Sequence, residues 1–479
     1  MSTDLAYATA LELAHRIRRR DLSPVEVMRA TLDRAERSQP VLNAFVTLCP
    51  EAAMAGARAA ERAVMRGDAL GPLHGLPLSV KDLVPTAGVR TTYGSLIYRN
   101  HVPAQDPVVI QRLKQAGAIL FGKTTTPEFG QQPLTRSRVF GETRNAWSAT
   151  RTAAGSSGGA AAAVAAGIGV LAVASDGGGS TRIPAAANGV VGFKQSLGTV
   201  PQDWAHDAFG NISYVTPMTR TVADTALMLS VMAGPSEADP QTIGRPSQDY
   251  LAAVQDQHDL KGLRLGFRAL LGNTVLGADM RRLFEQAVAT LAEAGAELSE
   301  CTHDVENVER LWFIVNASYR RAQYGHLIAE HRAIMCPTFL RQMDAAADYS
   351  AAELYDGILM RSRLYRQVQG WLEGLDAIVM PTLSRAALPL DQDFFAPIEI
   401  DNQVTDTIRR AWYPYTMPFN LTGHPAISVP CGFDSDGLPL GLQILGRPGA
   451  DATVLRLAAA FEQLRPWAQH RPHLPELDA

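Results

Sequence analysis

A chain of 479 residues with 46% hydrophobic and 19% charged residues has the balance of a packed globular protein, not of a disordered or fibrous one. Its net charge of −4 is small for the size and its lysines and arginines are scattered, which leaves no basic footprint for nucleic acid or an anionic membrane. Four cysteines, at positions 49, 301, 336 and 431, lie too far apart for a zinc ribbon or a disulfide framework and read as reduced thiols.

An amphipathic helical pattern opens the chain over residues 1–20, without an apolar signal core. In "DLSPVEVMRATLDRAE" Ser23 caps, Pro24 takes the first helical position and Glu26 completes a capping box. A second helix follows at 51–66, and "GLPLSVKDLVP" reads as a short strand ending near Lys81 and Asp82. Helix and strand then alternate: "DPVVIQRLKQAG" and "AILFGKT", the helical "AAAAVAAG", the buried strand "IGVLAVAS", the helix "ADTALMLSVMAG". Residues 235–260 are rich in Pro, Gly and polar groups and read as a surface connection, after which "GLRLGFRAL" restarts the strands. Residues 278–374 read as nearly all helical, a cap or insertion. Strands return in "LDAIVMPT", "AISVPCGF" and "LPLGLQILGR" before a last helix, "DATVLRLAAAFEQL". The expectation is an α/β fold: one large α/β/α body over residues 1–479, its central mixed, twisted sheet covered by helices on both faces, with the helical insertion set into it. No stretch reaches membrane-spanning length free of charge, so the expected location is the cytoplasm.

Two short strings could carry chemistry. "GSSGG", residues 155–159, satisfies the G-x-S-x-G pattern around Ser157, but that elbow needs a strand just before it and "RNAWSATRTAA" is polar and irregular. "DGGGS", residues 176–180, ends a buried strand with three glycines that let consecutive backbone amides turn inward ahead of Ser180. Such amides suit a developing oxyanion, although a tight turn or a phosphate cradle would use the same residues. A hydroxyl nucleophile needs a base, and none of the eleven histidines sits in a strong motif. Lys81, closing the strand "LPLSV", would serve if burial kept it neutral; an ion pair with Asp82 is the plainer reading.

"VKD" at residues 80–82, "GSSGG" and "DGGGSTRIPAA" occur together and in an order that resembles the amidase signature family. The resemblance extends to "TTTPEFG", "GVVGFKQSLGTV" and "PFNLTGHPAISVPCGF", and is weakest in the helical middle. It implies a Ser–cisSer–Lys triad: Ser180 as nucleophile, Ser156 as bridging serine after a cis peptide with Gly155, and Lys81 as base. It also implies an oxyanion hole on the amides of Gly177, Gly178, Gly179 and Ser180, with Asp176, Arg182 and Ser157 in support. Ala154 and Gly177 depart from the family's usual residues without removing a reactive group.

The implied reaction is hydrolysis of a small or aryl amide through an acyl-enzyme, with an amide and water as partners, no cofactor and no metal. Nucleic acid and membrane are not expected partners, and a homodimer is compatible with the sequence. Phe129, Trp204, Tyr214, Trp312, Tyr319 and Tyr415 are candidates for the substrate pocket. The alternatives are a carbamate or urethane hydrolase, the glutaminase subunit of a tRNA-dependent amidotransferase and, outside the class, a nucleotide-binding protein using the glycine turn. The amidotransferase's tyrosine-rich "GYYDAYY"-type stretch is not evident in residues 330–366, and no acidic ribose reader follows the glycine turn.

Overall fold

The computed structural model describes residues 3–255, 259–303 and 308–478. Parts of the N-terminal helical pattern, of the connection 235–260 and of the stretch 278–374 thus lie outside the described residues. The predicted capping box is present: Ser23 accepts from the helix amides and Glu26 from the Ser23 amide, starting α1 (Pro24–Leu42).

Eleven strands form one mixed sheet. In chain order they are β1 (Phe45–Leu48), β2 (Pro77–Lys81), β3 (Ile119–Thr124), β4 (Leu171–Asp176), β5 (Val191–Lys194), β6 (Tyr214–Thr219), β7 (Arg264–Phe267), β8 (Glu297–Glu300), β9 (Ala377–Pro381), β10 (Ala426–Phe433) and β11 (Pro439–Gly446). Across the sheet they run β1-β3-β2-β4-β6-β5-β10-β11-β9-β7-β8. β3, β2 and β4 are mutually parallel, as are β9, β7 and β8, while the strands between them pair antiparallel. Both faces are covered, because alternate residues of one strand enter different apolar clusters: Leu171 and Val173 of β4 pack in one, Ala172 and Ala174 in another. Ala377 and Val379 of β9 divide from Ile378 and Met380 in the same way. No described helix is long and apolar enough to cross a membrane, and the four cysteines are unpaired.

Three local expectations change. β8, inside the stretch read as helical, pairs parallel with β7 at the sheet edge; an edge strand of sequence "ELSE", largely exposed, shows no apolar alternation to find it by. The helix Ala278–Glu293 buries Leu283, Phe284 and Ala287 in the sheet's own core, so it belongs to the α/β body and not to a cap. The segment 235–260 holds a short helix, Tyr250–Gln255, anchored by Tyr250 and Val254. Helices α2 (Glu309–His331), α3 (Pro337–Ala345) and α4 (Ala351–Trp371) lie between β8 and β9 in the chain, and Leu311 and Trp312 of α2 with Leu364, Val368 and Trp371 of α4 share an apolar cluster with Ile378 and Met380 of β9.

Candidate active site

β2 and β4 are parallel neighbours, so their C-terminal ends, Lys81 and Asp176, finish side by side. That is where ligands of open α/β sheets gather. Alternation sends Leu78 and Val80 into the apolar core and leaves Lys81 turned toward the loops beyond the strand. Its Nζ is fully buried, 2.8 Å from Ser156 Oγ, 2.8 Å from Ser157 Oγ and 2.9 Å from Ser175 Oγ. Asp82 does not pair with it; that carboxylate accepts from the amide and hydroxyl of Thr92. Burial pushes the Lys81 ammonium well below its usual pKa, with Asp176 opposing and Arg320 reinforcing the shift. Burial thus favours the neutral amine, the form that carries a lone pair.

The second element is the loop before the helix Gly158–Ala165. A cis peptide joins Gly155 to Ser156, the position the resemblance implies. A strand does precede the loop, Ser148–Thr152, but it pairs with Arg144–Asn145 in a separate hairpin, and through an Arg151–Pro389 bridge with the segment after β9, outside the main sheet. Ser157 is thus not on a nucleophile elbow. Its hydroxyl donates to the Ser175 carbonyl at 3.1 Å, so toward Lys81 it can only accept. Its amide donates to the Ser180 carbonyl and ties this loop to the next.

The third element is the glycine turn, in which four successive carbonyls are each held by a donor. Asn420 Nδ2 donates to Asp176 O at 2.8 Å, Trp312 Nε1 to Gly177 O at 2.9 Å, Thr416 Oγ1 to Gly178 O at 2.7 Å, and the Ile183 amide to Gly179 O at 2.7 Å. In a trans peptide the N–H points opposite the C=O, so fixing each carbonyl also aims the next amide. Gly177, Gly178 and Ser180 line one cavity, and their amides have no partner among the described residues. The Gly179 amide is the correction to the expected set of four: it donates to Asp176 Oδ1 at 2.6 Å. Gly179 has φ +121°, and a Cβ there would sit 2.3 Å from Thr416 Oγ1, so no other residue fits.

Asp176 and Arg182 are wholly buried and paired, 3.0 Å apart. Burial alone would raise the Asp176 carboxyl; the Arg182 charge and hydrogen bonds from Arg182 and Asn420 outweigh it and hold the pKa at about 2. Arg182 also reaches Gln443, Thr416 O and Asn420, stitching the turn to β11 and the segment before β10. Ser180 opens on the same cavity as Ser156, and its hydroxyl makes no hydrogen bond to a described residue. The link from Lys81 to Ser156 is made in this structure, and the link from Ser156 to Ser180 is not.

Two cavities meet here. The smaller, about 50 Å³, adjoins Ser156 and Ser180 and is walled by Trp312, Asn316, Arg409 and Tyr413. The larger, about 250 Å³, is walled by Tyr93, Tyr98, Trp204, Tyr319 and Tyr324. Leu83, Ser175, Ser213 and Arg320 line both. Of the six aromatic residues singled out from the sequence, Trp204, Trp312 and Tyr319 thus line cavities here. The other three line neither of these two cavities. Phe129 is buried behind the wall, stacked on Tyr324 at 3.9 Å; Tyr214 lies under Lys194 with its hydroxyl on Asn420 O; Tyr415 is locked between Asn273 and Ala269 O. Aromatic rings serve a core as readily as a pocket, so composition could not separate them. Ser175 was the one missed residue with a local signal, since it directly precedes Asp176 at the end of β4. Arg320, Arg409 and Thr416 come from remote segments and had none, while Asn420 falls within the segment "PFNLTGHPAISVPCGF" that the resemblance covers.

A mixed α/β body with a buried lysine, two serine hydroxyls and a turn of free amides at its strand ends is the frame of a hydrolase working on a carbonyl centre. The amidase family model matches residues 26–455. The chain is 38% identical to an acylamidase of Rhodococcus erythropolis over 98% of both chains, and 34% identical to a glutamyl-tRNA(Gln) amidotransferase subunit from Moorella thermoacetica over 98% of this chain and 99% of that one. A bacterial aryl acylamidase of the amidase signature family superposes with a TM-score of 0.89 at 31% identity, covering 97% of each chain. This protein belongs to the amidase signature family, and its reaction is the hydrolysis of an amide.

Proposed function

We propose that the chain is a stand-alone cytoplasmic amidase, a single domain over residues 1–479, that cleaves its substrate through an acyl-enzyme on Ser180. Neutral Lys81 has two N–H donors and one lone pair. One N–H goes to Ser157, which can only accept, and the other to Ser175 Oγ, which leaves the lone pair facing Ser156. Ser180 rotates about its single side-chain torsion to meet Ser156 once an amide carbonyl enters the cavity. Its Oγ attacks the carbonyl carbon, its proton passes to Ser156, and the Ser156 proton passes to Lys81. The tetrahedral oxyanion lies on the amides of Gly177, Gly178 and Ser180. Reversing the relay delivers a proton to the departing nitrogen, the C–N bond breaks, and water repeats the sequence on the acyl-enzyme.

The observation that carries this reading is the buried Lys81 Nζ at 2.8 Å from Ser156 Oγ with no carboxylate paired to it among the described residues. Unpaired thiols fit a reducing compartment. Free glutamine, the substrate class of a glutaminase, carries an ammonium group, and among the described residues no Asp or Glu lines either cavity to receive it. The test is a fluorophosphonate adduct located by mass spectrometry, alongside amine release by alanine variants. Label on Ser180, with activity abolished in Ser180→Ala, nearly so in Lys81→Ala and strongly reduced in Ser156→Ala, is the expected result; label on Ser157 with an active Ser180→Ala would overturn it.

A further inference from the structure

Arg320 lies on α2 where the two cavities join, and it is the charged residue common to both walls. Its Nη1 donates to Gln323 at 3.1 Å, and its guanidinium lies 5.4 Å from the Tyr319 ring centroid. Among the described residues no carboxylate pairs with it, and its buried Nε has no hydrogen-bond partner. The remaining charged side chain on either wall is Arg409, whose Nε is likewise buried and unpartnered and whose Nη1 is 3.9 Å from Glu309. Among the described residues the two walls carry no Asp, Glu or Lys.

We propose that the substrate is an aryl amide bearing a carboxylate, with the arene in the larger, tyrosine-rich cavity and the carboxylate paired to Arg320 at the junction. This rests on the amidase reading above and names the substrate class within it. The physical reason is what a filled cavity does to Arg320. While the cavity holds water, the guanidinium is solvated; a neutral ligand strips that water and leaves the charge unpaired, which is costly. A carboxylate instead restores it with a charge-assisted, two-pronged contact that matches the guanidinium fork. A site built around such a contact discriminates strongly against analogues lacking the group.

The experiment uses two matched pairs that differ in charge and little else. Succinanilate is compared with butyranilide for a carboxylate on the acyl side, and 4-acetamidophenylacetate with 4′-ethylacetanilide for one on the amine side. In the wild-type enzyme the charged member of at least one pair is expected to show at least a tenfold higher kcat/KM. That ratio falls toward one in Arg320→Gln and recovers in part in Arg320→Lys. Because each ratio is taken within one variant, any change at Lys81 scales both members and cancels. Where turnover is too slow to follow, the same ratio is read as protection of Ser180 from fluorophosphonate labelling. Equal or lower efficiency for the charged member of both pairs in the wild type overturns the proposal, whether or not the variants fold, and so does a ratio unchanged in Arg320→Gln. The amidase reading survives both outcomes; it fails separately if Ser180 takes no label and no anilide is cleaved.

Discussion

Trp312 donates its indole N–H to the carbonyl of Gly177 at 2.9 Å, although 135 residues separate them. The bond fixes the peptide plane that carries the Gly178 amide, one of the free donors at the cavity. Trp312→Phe keeps an aromatic wall and removes the bond. Loss of a fixed oxyanion donor costs roughly 10²–10³ in kcat; a donor merely set loose should cost about tenfold to hundredfold. Steady-state kinetics should show kcat falling by more than KM rises.

The pH profile should report Lys81. Its folded pKa lies below 10.5 because of burial, with Arg320 lowering it further and Asp176 opposing. The neutral amine is the working form, so kcat/KM should rise with pH through the Lys81 pKa. Removing the Arg320 charge makes the ammonium easier to form, and the acid limb of Arg320→Gln should move to higher pH. A limb that stays or moves down would show that Lys81 does not set it.

Asp176→Asn should cost stability before it costs chemistry. It strands the Arg182 charge in a fully buried site and weakens the acceptor for the Gly179 and Thr181 amides. Breaking a buried pair on one side typically costs about 3–5 kcal/mol, which urea unfolding would measure. In the native protein the pair also shapes acid sensitivity. With a folded pKa of about 2 against an ordinary 3.8, Asp176 stabilises the fold above pH 3.8, and that contribution is lost as the pH falls toward 2.

The glycines of the turn should respond unequally. A Cβ on Gly177 would meet only Ser213, at 3.6 Å and beyond, whereas one on Gly179 would run into Thr416 and Ile183. Gly177→Ala should fold with stability within about 0.5 kcal/mol of the parent, as substitutions clear of such features do. Gly179→Ala should lose activity altogether and unfold at markedly lower urea.

What the sequence revealed followed how local each signal was. β2, β4 and the turn at 176–180 were legible because alternation, glycine content and a strand end lie within a few residues of one another. The supporting roles of Asp176 and Arg182 came from the family resemblance and not from local pattern. The edge strand β8 was invisible because a half-exposed strand needs no apolar face. Trp312, Thr416 and Asn420 act on the turn from far along the chain, and each residue type is equally at home in an ordinary core. The Gly179 amide was misassigned because a glycine signals only that its backbone can turn; the Asp176 carboxylate three residues earlier decides where that amide goes.

The placing of α2–α4 between two strands of the sheet divides the labour of the molecule along its length. Proton transfer belongs to the ends of β2 and β4 and their loops, whereas Trp312, Asn316, Tyr319, Arg320 and Tyr324 all stand on one excursion between two sheet strands. New substrate preferences are therefore within reach of exchanging residues 309–371 as a cassette, provided that the incoming segment still offers an indole to Gly177.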